Sequence, residues 1–404
     1  MKNYEKYVYD LLKKSPPLKN AVVFSYQLMF SLFSKKEFYS SYKFTSLDDQ
    51  FFGFHDKTPF NSDNSIILGF KPSRNFKRIN LSAKGQVLLN HSKNWSKQEI
   101  VYETVAWNNI MGPMLHWFDD EHICFNSVNS KKITGLVLNI NSGKKTHLDH
   151  PLVHSNKPKN LFVGYNLRSA ELGMKGYGIP KEIFHLDNSP EITISKNTKP
   201  ILSLNQHDLQ NLTGTKNRLW VHHCLFSNDG EWMYFMVRHY NKLGFRISQL
   251  FLFETKSNRI IDTKIKGMIS HLNWADNKTI IVYMNPGLNK EDAFYFINVD
   301  SLKHELLNKD YISDGHPTTL NKNTFISDSY PDRNRHQYLY TFSLSNQNKK
   351  IIVKNHIPLK ARGAFQYDLH PRLSKDKTLI SIDCFNKNKL SQKILEVESL
   401  HLPN

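Results

Sequence analysis

The sequence predicts an all-β fold: a seven-bladed β-propeller preceded by a short N-terminal helical extension. Three observations carry this expectation. Short β-rich runs dominate after residue 45, polar turn segments separate them, and a histidine-led segment recurs four times at the length of one four-stranded blade.

The β-rich runs include Ser65–Phe70, Gly135–Ile140, Trp232–Arg238, Leu250–Glu254, Thr279–Tyr283, Ala293–Val299, Tyr338–Phe342 and Thr378–Ile382. Turn-forming stretches such as Ser227-Asn228-Asp229-Gly230 and Asn141-Ser142-Gly143 lie between them. The recurring segment begins at His223, His271, His316 and His370, with separations of 48, 45 and 54 residues. Each histidine is followed by about six residues, a turn and an apolar strand. Asp56 to Asn64 repeats that strand-to-turn shape without the leading histidine. Residues 46–404 then hold about seven units, and a C-terminal strand pairing with an N-terminal one would close the ring and remove exposed edges.

Residues 1–45 read as the helical extension. Ala21–Phe33 is an apolar run of 13 residues, shorter than a bilayer requires, and lysines precede and follow it. It reads as a helix with one apolar face, packed on the protein body or resting on a membrane surface. No export signal is legible, so the expected location is cytoplasmic, with peripheral contact to the inner membrane through residues 1–45.

Hydrophobic residues make up 39% of the 404-residue chain and aromatic residues 12%, which excludes a disordered composition. The 54 Lys+Arg against 36 Asp+Glu leave a formal charge of +18. An anionic glycan, an anionic membrane, nucleic acid or plain Lys- and Asn-rich compositional drift could each underlie the excess. The basic residues are spread along the chain, which disfavours nucleic acid. Three cysteines, Cys124, Cys224 and Cys384, are too few for a disulfide framework. Phosphate-binding loops, nucleophile elbows and zinc-protease motifs are missing.

Equivalent positions in a propeller project toward the axis, so the four histidines are expected to approach one another at one end of the channel. His271, His316 and His370 are the candidate ligands for a divalent ion such as zinc, manganese or calcium, and His223 is a candidate acid or base. The alternative is that each histidine caps its own strand. Arg238 or Arg246 could hold a carboxylate through its planar fork. His116 lies among Trp107 and Trp117, where aromatic rings could stack on a sugar or simply fill the core. Tyr177, framed by Gly176 and Gly178, could move a proton. Asp314-Gly315-His316-Pro317 and Asp328 to Arg333 read as turns around His316.

Several of these segments recur in one order in a known family. Phe52 to Pro59, Glu103 to Asn108, Gly176-Tyr177-Gly178, His223 to Gly230, Asp314 to Pro317, Tyr330-Pro331-Asp332 and Asp368 to Arg372 together resemble the ulvan lyases and, more distantly, oligogalacturonate lyase. The resemblance implies a seven-bladed propeller, a histidine-held metal, and β-elimination on uronic-acid polysaccharide or oligosaccharide; the chain itself is expected to be a monomer. Ile110 and Met174 stand where those lyases carry polar or cationic groups, so a non-catalytic or glycosyltransfer-associated role in capsule or surface-polysaccharide biosynthesis is the alternative expectation.

Overall fold

A computed structural model describes residues 16–73, 83–91, 95–179, 189–287, 292–308, 312–386 and 389–400. The strands form seven separate antiparallel sheets, taken up in chain order around a ring. The chain is a seven-bladed β-propeller.

Blade 1 contains β3 (Ile67–Lys71), β4 (Gly85–His91) and β5 (Lys97–Thr104), with its inner edge reduced to a Phe60–Ile67 bridge. Blade 2 runs from β6 (His116–Asp119) through β7 (His122–Asn129) and β8 (Lys132–Asn139) to β9 (Lys145–His147), and blade 3 from β10 (His154–Asn156) through β11 (Leu161–Tyr165) and β12 (Ile192–Lys196) to β13 (Lys199–Leu204). Blade 4 comprises β14 (Trp220–Phe226), β15 (Trp232–Tyr240), β16 (Arg246–Glu254) and β17 (Arg259–Gly267). Blade 5 extends from β18 (Ile269–Trp274) to β21 (His304–Leu306). Blade 6 comprises β22 (Thr318–Thr319), β23 (Thr324–Asp328), β24 (His336–Ser343) and β25 (Asn348–His356), and blade 7 comprises β26 (Arg372–Leu373), β27 (Leu379–Asn386) and β28 (Lys389–Glu396).

The ring closes as the sequence suggested. N-terminal β2 (Thr45–Asp48) pairs antiparallel with C-terminal β28, so blade 7 is built from both ends of the chain. A second N-terminal strand, β1 (Phe38–Tyr39), adds to β25 in blade 6. The propeller therefore begins at Phe38, somewhat before residue 46. The eight β-rich runs read from the sequence all fall within or across strands. They work because their apolar residues are buried on both faces, against the neighbouring blade on each side. Phe235 joins one core cluster while Tyr234 and Met236, pointing the other way, join the next.

Cys124, Cys224 and Cys384 are free and buried, which places them in the cores between blades. Trp107 and Trp117 pack against a core cluster and donate their indole N–H to the carbonyls of Ala83 and Pro59. They are half-buried structural rings, which answers the choice the sequence left open for them.

The recurrent histidines share one register. The residue four positions after each donates its backbone N–H across the first turn: Ser227 to Trp232, Ala275 to Thr279, Leu320 to Thr324 and Ser374 to Leu379, at 2.8–2.9 Å. Asn61 makes the same bond to Ile66 in blade 1, which puts Lys57 at the corresponding place.

A buried ion pair ties the closing blade to the segment entering the centre. Arg372 bonds Asp383, and also the carbonyls of Gly53 and Phe54. Asp383 in turn accepts the backbone N–H of Phe52 and Gly53. Replacing Arg372 with Leu should cost about 3–5 kcal/mol, because Asp383 would be left charged and unpaired in the interior. The midpoint of denaturant unfolding checks this; a loss under about 1 kcal/mol would contradict it.

Candidate metal centre

Six imidazoles meet at one end of the axis. The rings of His271 and His316 lie 4.0 Å apart, His316 and His370 4.2 Å, and His223 and His271 5.8 Å. These are the four recurrent histidines. His55 joins them from the segment gripped by Arg372, 5.0 Å from His316, and His222 lies 4.0 Å from His223. All six are buried.

The local backbone explains the two additions. Strand β14 carries a bulge between His222 and Cys224, and His223 there has φ of 54°. A bulge breaks strict alternation, so two adjacent histidines can both reach the centre. His370 also has a left-handed φ of 46°. Positive φ at a non-glycine residue is uncommon and tends to mark functional sites. Neither His222 nor His55 keeps the register of the repeat, so spacing alone could not find them. Their signals were the His-His doublet and the buried Phe-Gly-Phe-His run.

The histidines do not converge on one point. The Phe54 ring sits among them, its centroid 4.6–6.4 Å from all six. Among the described residues, His316, His370 and Asp368 form the group whose ligand atoms lie within 4.8 Å of one another.

Two of those ligands are pre-oriented. His316 donates Nδ1–H to Asp328 at 2.8 Å, and His370 donates Nδ1–H to the Gly53 carbonyl at 2.7 Å. In the neutral rings each Nε2 is therefore the lone-pair nitrogen, and each is buried without a hydrogen-bond partner. A buried acceptor left unpaired is costly, and a carbonyl or carboxylate behind an imidazole is the usual support for a metal-ligating histidine. Asp328 also accepts the backbone N–H of His316 and of His370, at 2.8 and 2.9 Å. Gly315 permits this approach, since a Cβ there would sit 1.9 Å from the Asp328 carbonyl oxygen.

Electrostatics agree with the geometry. Burial, then the neighbouring His316 and Arg372 charges, hold His370 well below the ordinary imidazole range, so it is neutral. Burial presses His316 the same way, but the Asp328 carboxylate outweighs it and the pKa is raised. Asp368, which accepts from Gln337 and Gln366, is pushed up to about 6 by burial, against the pull of His316. A cation at this group would favour both the carboxylate and the neutral imidazoles. The donor set thus fits a divalent ion with mixed nitrogen and oxygen preference.

The other expected residues take different places. His271 is not in the trio: it donates Nδ1–H to Asp314 at 3.3 Å, and its Nε2 accepts from the Tyr330 hydroxyl at 3.3 Å. Burial lowers its pKa to about 4. His223 keeps both ring nitrogens unpartnered beside Phe54. His116 lies outside the cluster, stacked on His154 with centroids 5.5 Å apart. Its Nδ1 donates to the Met114 carbonyl and its Nε2 accepts from Ser155, which ties it into blades 2 and 3 away from the cluster.

Arg238 corrects another expectation. Its donors reach Ser248, Met174, His222 and the carbonyls of Ile269 and Ser270. Such a saturated fork has nothing left for a substrate carboxylate. Burial pulls its pKa down to about 9. Because His222 Nδ1 accepts from Arg238, His222 Nε2 carries the proton and presents an unpartnered N–H. Arg246 is exposed and touches Met174 Sδ at 3.4 Å. The Tyr177 ring lies 5.0 Å from His222, and burial raises its pKa to about 12. Tyr177 is placed by α2 (Leu167–Gly173), which Asn166 caps, and by Gly178, where a Cβ would come within 1.8 Å of the Leu167 carbonyl oxygen.

No family model and no curated protein sequence matches the chain. Solved structures do. One is an oligogalacturonate lyase in complex with manganese, with a TM-score of 0.57 at 12% identity, covering 91% of this chain and 99% of that one. The likeness is one of fold. The β-propeller domain of the Trilobed protease from Pyrococcus furiosus is similar at a TM-score of 0.50 and 11% identity, covering 88% of this chain and 93% of that one. A puromycin hydrolase mutant is similar at 0.51 and 9%, covering 83% of this chain and 51% of that chain.

Asp328→Asn should weaken binding of added Mn2+ by about 10–100-fold, because His316 would lose the carboxylate that orients it. Isothermal titration of wild type and variant checks this, and equal affinities would show that Asp328 does not support a metal ligand.

Proposed function

We propose that the histidine-rich end of the channel is the active site of a lyase-like enzyme that cleaves uronic-acid-containing polysaccharide or oligosaccharide by β-elimination. The single observation that supports this most is the pairing of a preformed His316–His370–Asp368 trio with an adjacent Asp314–His271–Tyr330 chain of hydrogen bonds. A uronate-cleaving site needs both a cationic centre for the carboxylate and a base beside it.

His316, His370 and Asp368 would hold a divalent ion, which when bound supplies positive charge that stabilises the carboxylate as its neighbouring proton leaves. Arg246, exposed near Tyr177, offers a second cation, and the His222 N–H a neutral donor. His271 is the candidate base. It is neutral, Asp314 fixes its tautomer, and its lone pair faces Tyr330. It would take the proton alpha to the carboxylate; the electron pair left behind forms the ring double bond as the glycosidic C–O bond breaks. Tyr177 stays protonated at neutral pH and would donate its proton to the departing oxygen. Arg238 acts through His222 and is a positioning residue.

One observation favours a second reading, a glycan-binding propeller in surface-polysaccharide biosynthesis that does not cleave. Met174 occupies donors of both Arg238 and Arg246, and Ile110 and Met111 are buried in the core.

Incubation of the purified protein with a panel of uronate polymers and oligomers, with Mn2+, Zn2+ or Ca2+ and with chelator, separates the two. The lyase reading expects ultraviolet absorbance from the unsaturated product, and a loss of at least about a hundredfold in His271→Ala. Glycan binding without product across the panel would sink it and support the second reading.

A further inference from the structure

Helix α1 (Pro16–Ser31) is docked on the propeller by one face only. Gln27 donates to the carbonyls of Pro331 and Asp332 at 3.3 and 3.2 Å and accepts from Arg335 at 3.2 Å. The Arg333 guanidinium lies 4.8 Å from the Phe30 ring centroid, and Arg362 the same distance from Phe24. Gln27 and Ser31 are buried in that contact.

The other face carries apolar side chains into solvent. Leu18, Val22, Leu28 and Met29 are exposed, and just beyond the helix Leu32 and Phe33 are 71% and 87% exposed. Positions 18, 22, 29 and 33 follow one side of a helix. Contiguous exposed apolar surface of this kind marks an interaction site. The surroundings are cationic. Lys35, Lys36 and Lys360 are exposed, and Arg333 and Arg362 flank the helix. Residues 11–36 contain five lysines and no Asp or Glu.

From these observations we propose that α1 and the Leu32-Phe33 turn lie in the surface of an anionic lipid bilayer. The helix is 16 residues long, short of the ~20 needed to cross. Among the described residues no helix is long and apolar enough to span. An apolar stripe with a cationic rim suits binding along the interface instead. A second copy is a poorer occupant, because a symmetric pair would press two cationic rims together. The docking loop also fixes the orientation of the site. Pro331 and Asp332, which receive Gln27, directly follow Tyr330, whose hydroxyl bonds His271. The bilayer would therefore lie on the face where the histidines gather. This surface stands independently of the lyase reading.

Co-sedimentation of the intact protein with phosphatidylcholine vesicles, with and without phosphatidylglycerol, tests it. Binding should require phosphatidylglycerol and weaken with salt. The double variant Leu32→Glu, Phe33→Glu should partition at least about tenfold less. Its thermal unfolding should match wild type, since both side chains are exposed. Lys35→Glu, Lys36→Glu should lower binding and flatten the salt dependence. Absence of binding to anionic vesicles, or equal binding by the Leu32/Phe33 variant, would overturn the proposal. So would a dimer in light scattering that this variant dissolves, since the occupant would then be a second copy.

Discussion

One carboxylate organises the centre of this propeller. Asp328, at the end of β23, accepts from the backbone and the ring of His316 in its own blade and from the backbone of His370 at the start of the next. It thereby sets the distance between the two imidazoles and decides which nitrogen of His316 stays free. Burial alone would push this carboxyl up, but His316 and the two backbone N–H groups hold it below the ordinary range. A charged acceptor with three donors in a low-dielectric interior is rigid, because moving any donor exposes charge. The Arg372–Asp383 pair extends the same device to the closing strand, where it delivers Gly53, Phe54 and His55 to the axis.

Phe54 gives this arrangement its asymmetry. A ring of imidazoles around an open axis could share one ion. Here an aromatic ring stands among the imidazoles instead, and the nitrogens differ in the partners behind them. On one side stand two lone pairs and a carboxylate. On another, Arg238 gives His222 the opposite tautomer, so it offers a donor where His316 and His370 offer acceptors. The tautomers are thus assigned by what lies behind each ring: a carboxylate or carbonyl in one case, a guanidinium in the other. Burial keeps most of these imidazoles neutral, which prevents several like charges from repelling in one place.

Helix α1 docks on the loop that follows Tyr330. Its hold on the propeller is local and polar: one glutamine side chain, three arginines and a few ring contacts, near the loop that carries Tyr330. The apolar stripe is left outward. The chain's basic character thus has two visible settings. Some cations are sunk in structure, as Arg238, Arg335 and Arg372 are. Others rim the exposed helix.

The sequence by itself determined the architecture. Alternating apolar runs, turn residues and a repeat of about fifty residues are local signals, and blades are local units. Apart from β1 and β2, each strand pairs with its chain neighbour, so the pattern carries over directly to the ring. The repeat also placed four histidines in one register, and register is enough to bring equivalent residues toward the axis. What surrounds each ring was not local. His55 arrives through a loop held from blade 7, Asp328 comes from the end of β23 and Asp368 from the connection before β26, and Arg238 spends its donors on blades 4 and 5 and the α2 loop. Only the tertiary structure could show that His116 is engaged, that His271 belongs with Asp314 and Tyr330, and that Phe54 stands among the rings. Those outcomes depend on which donors and acceptors meet across blades, and spacing along one chain does not encode that.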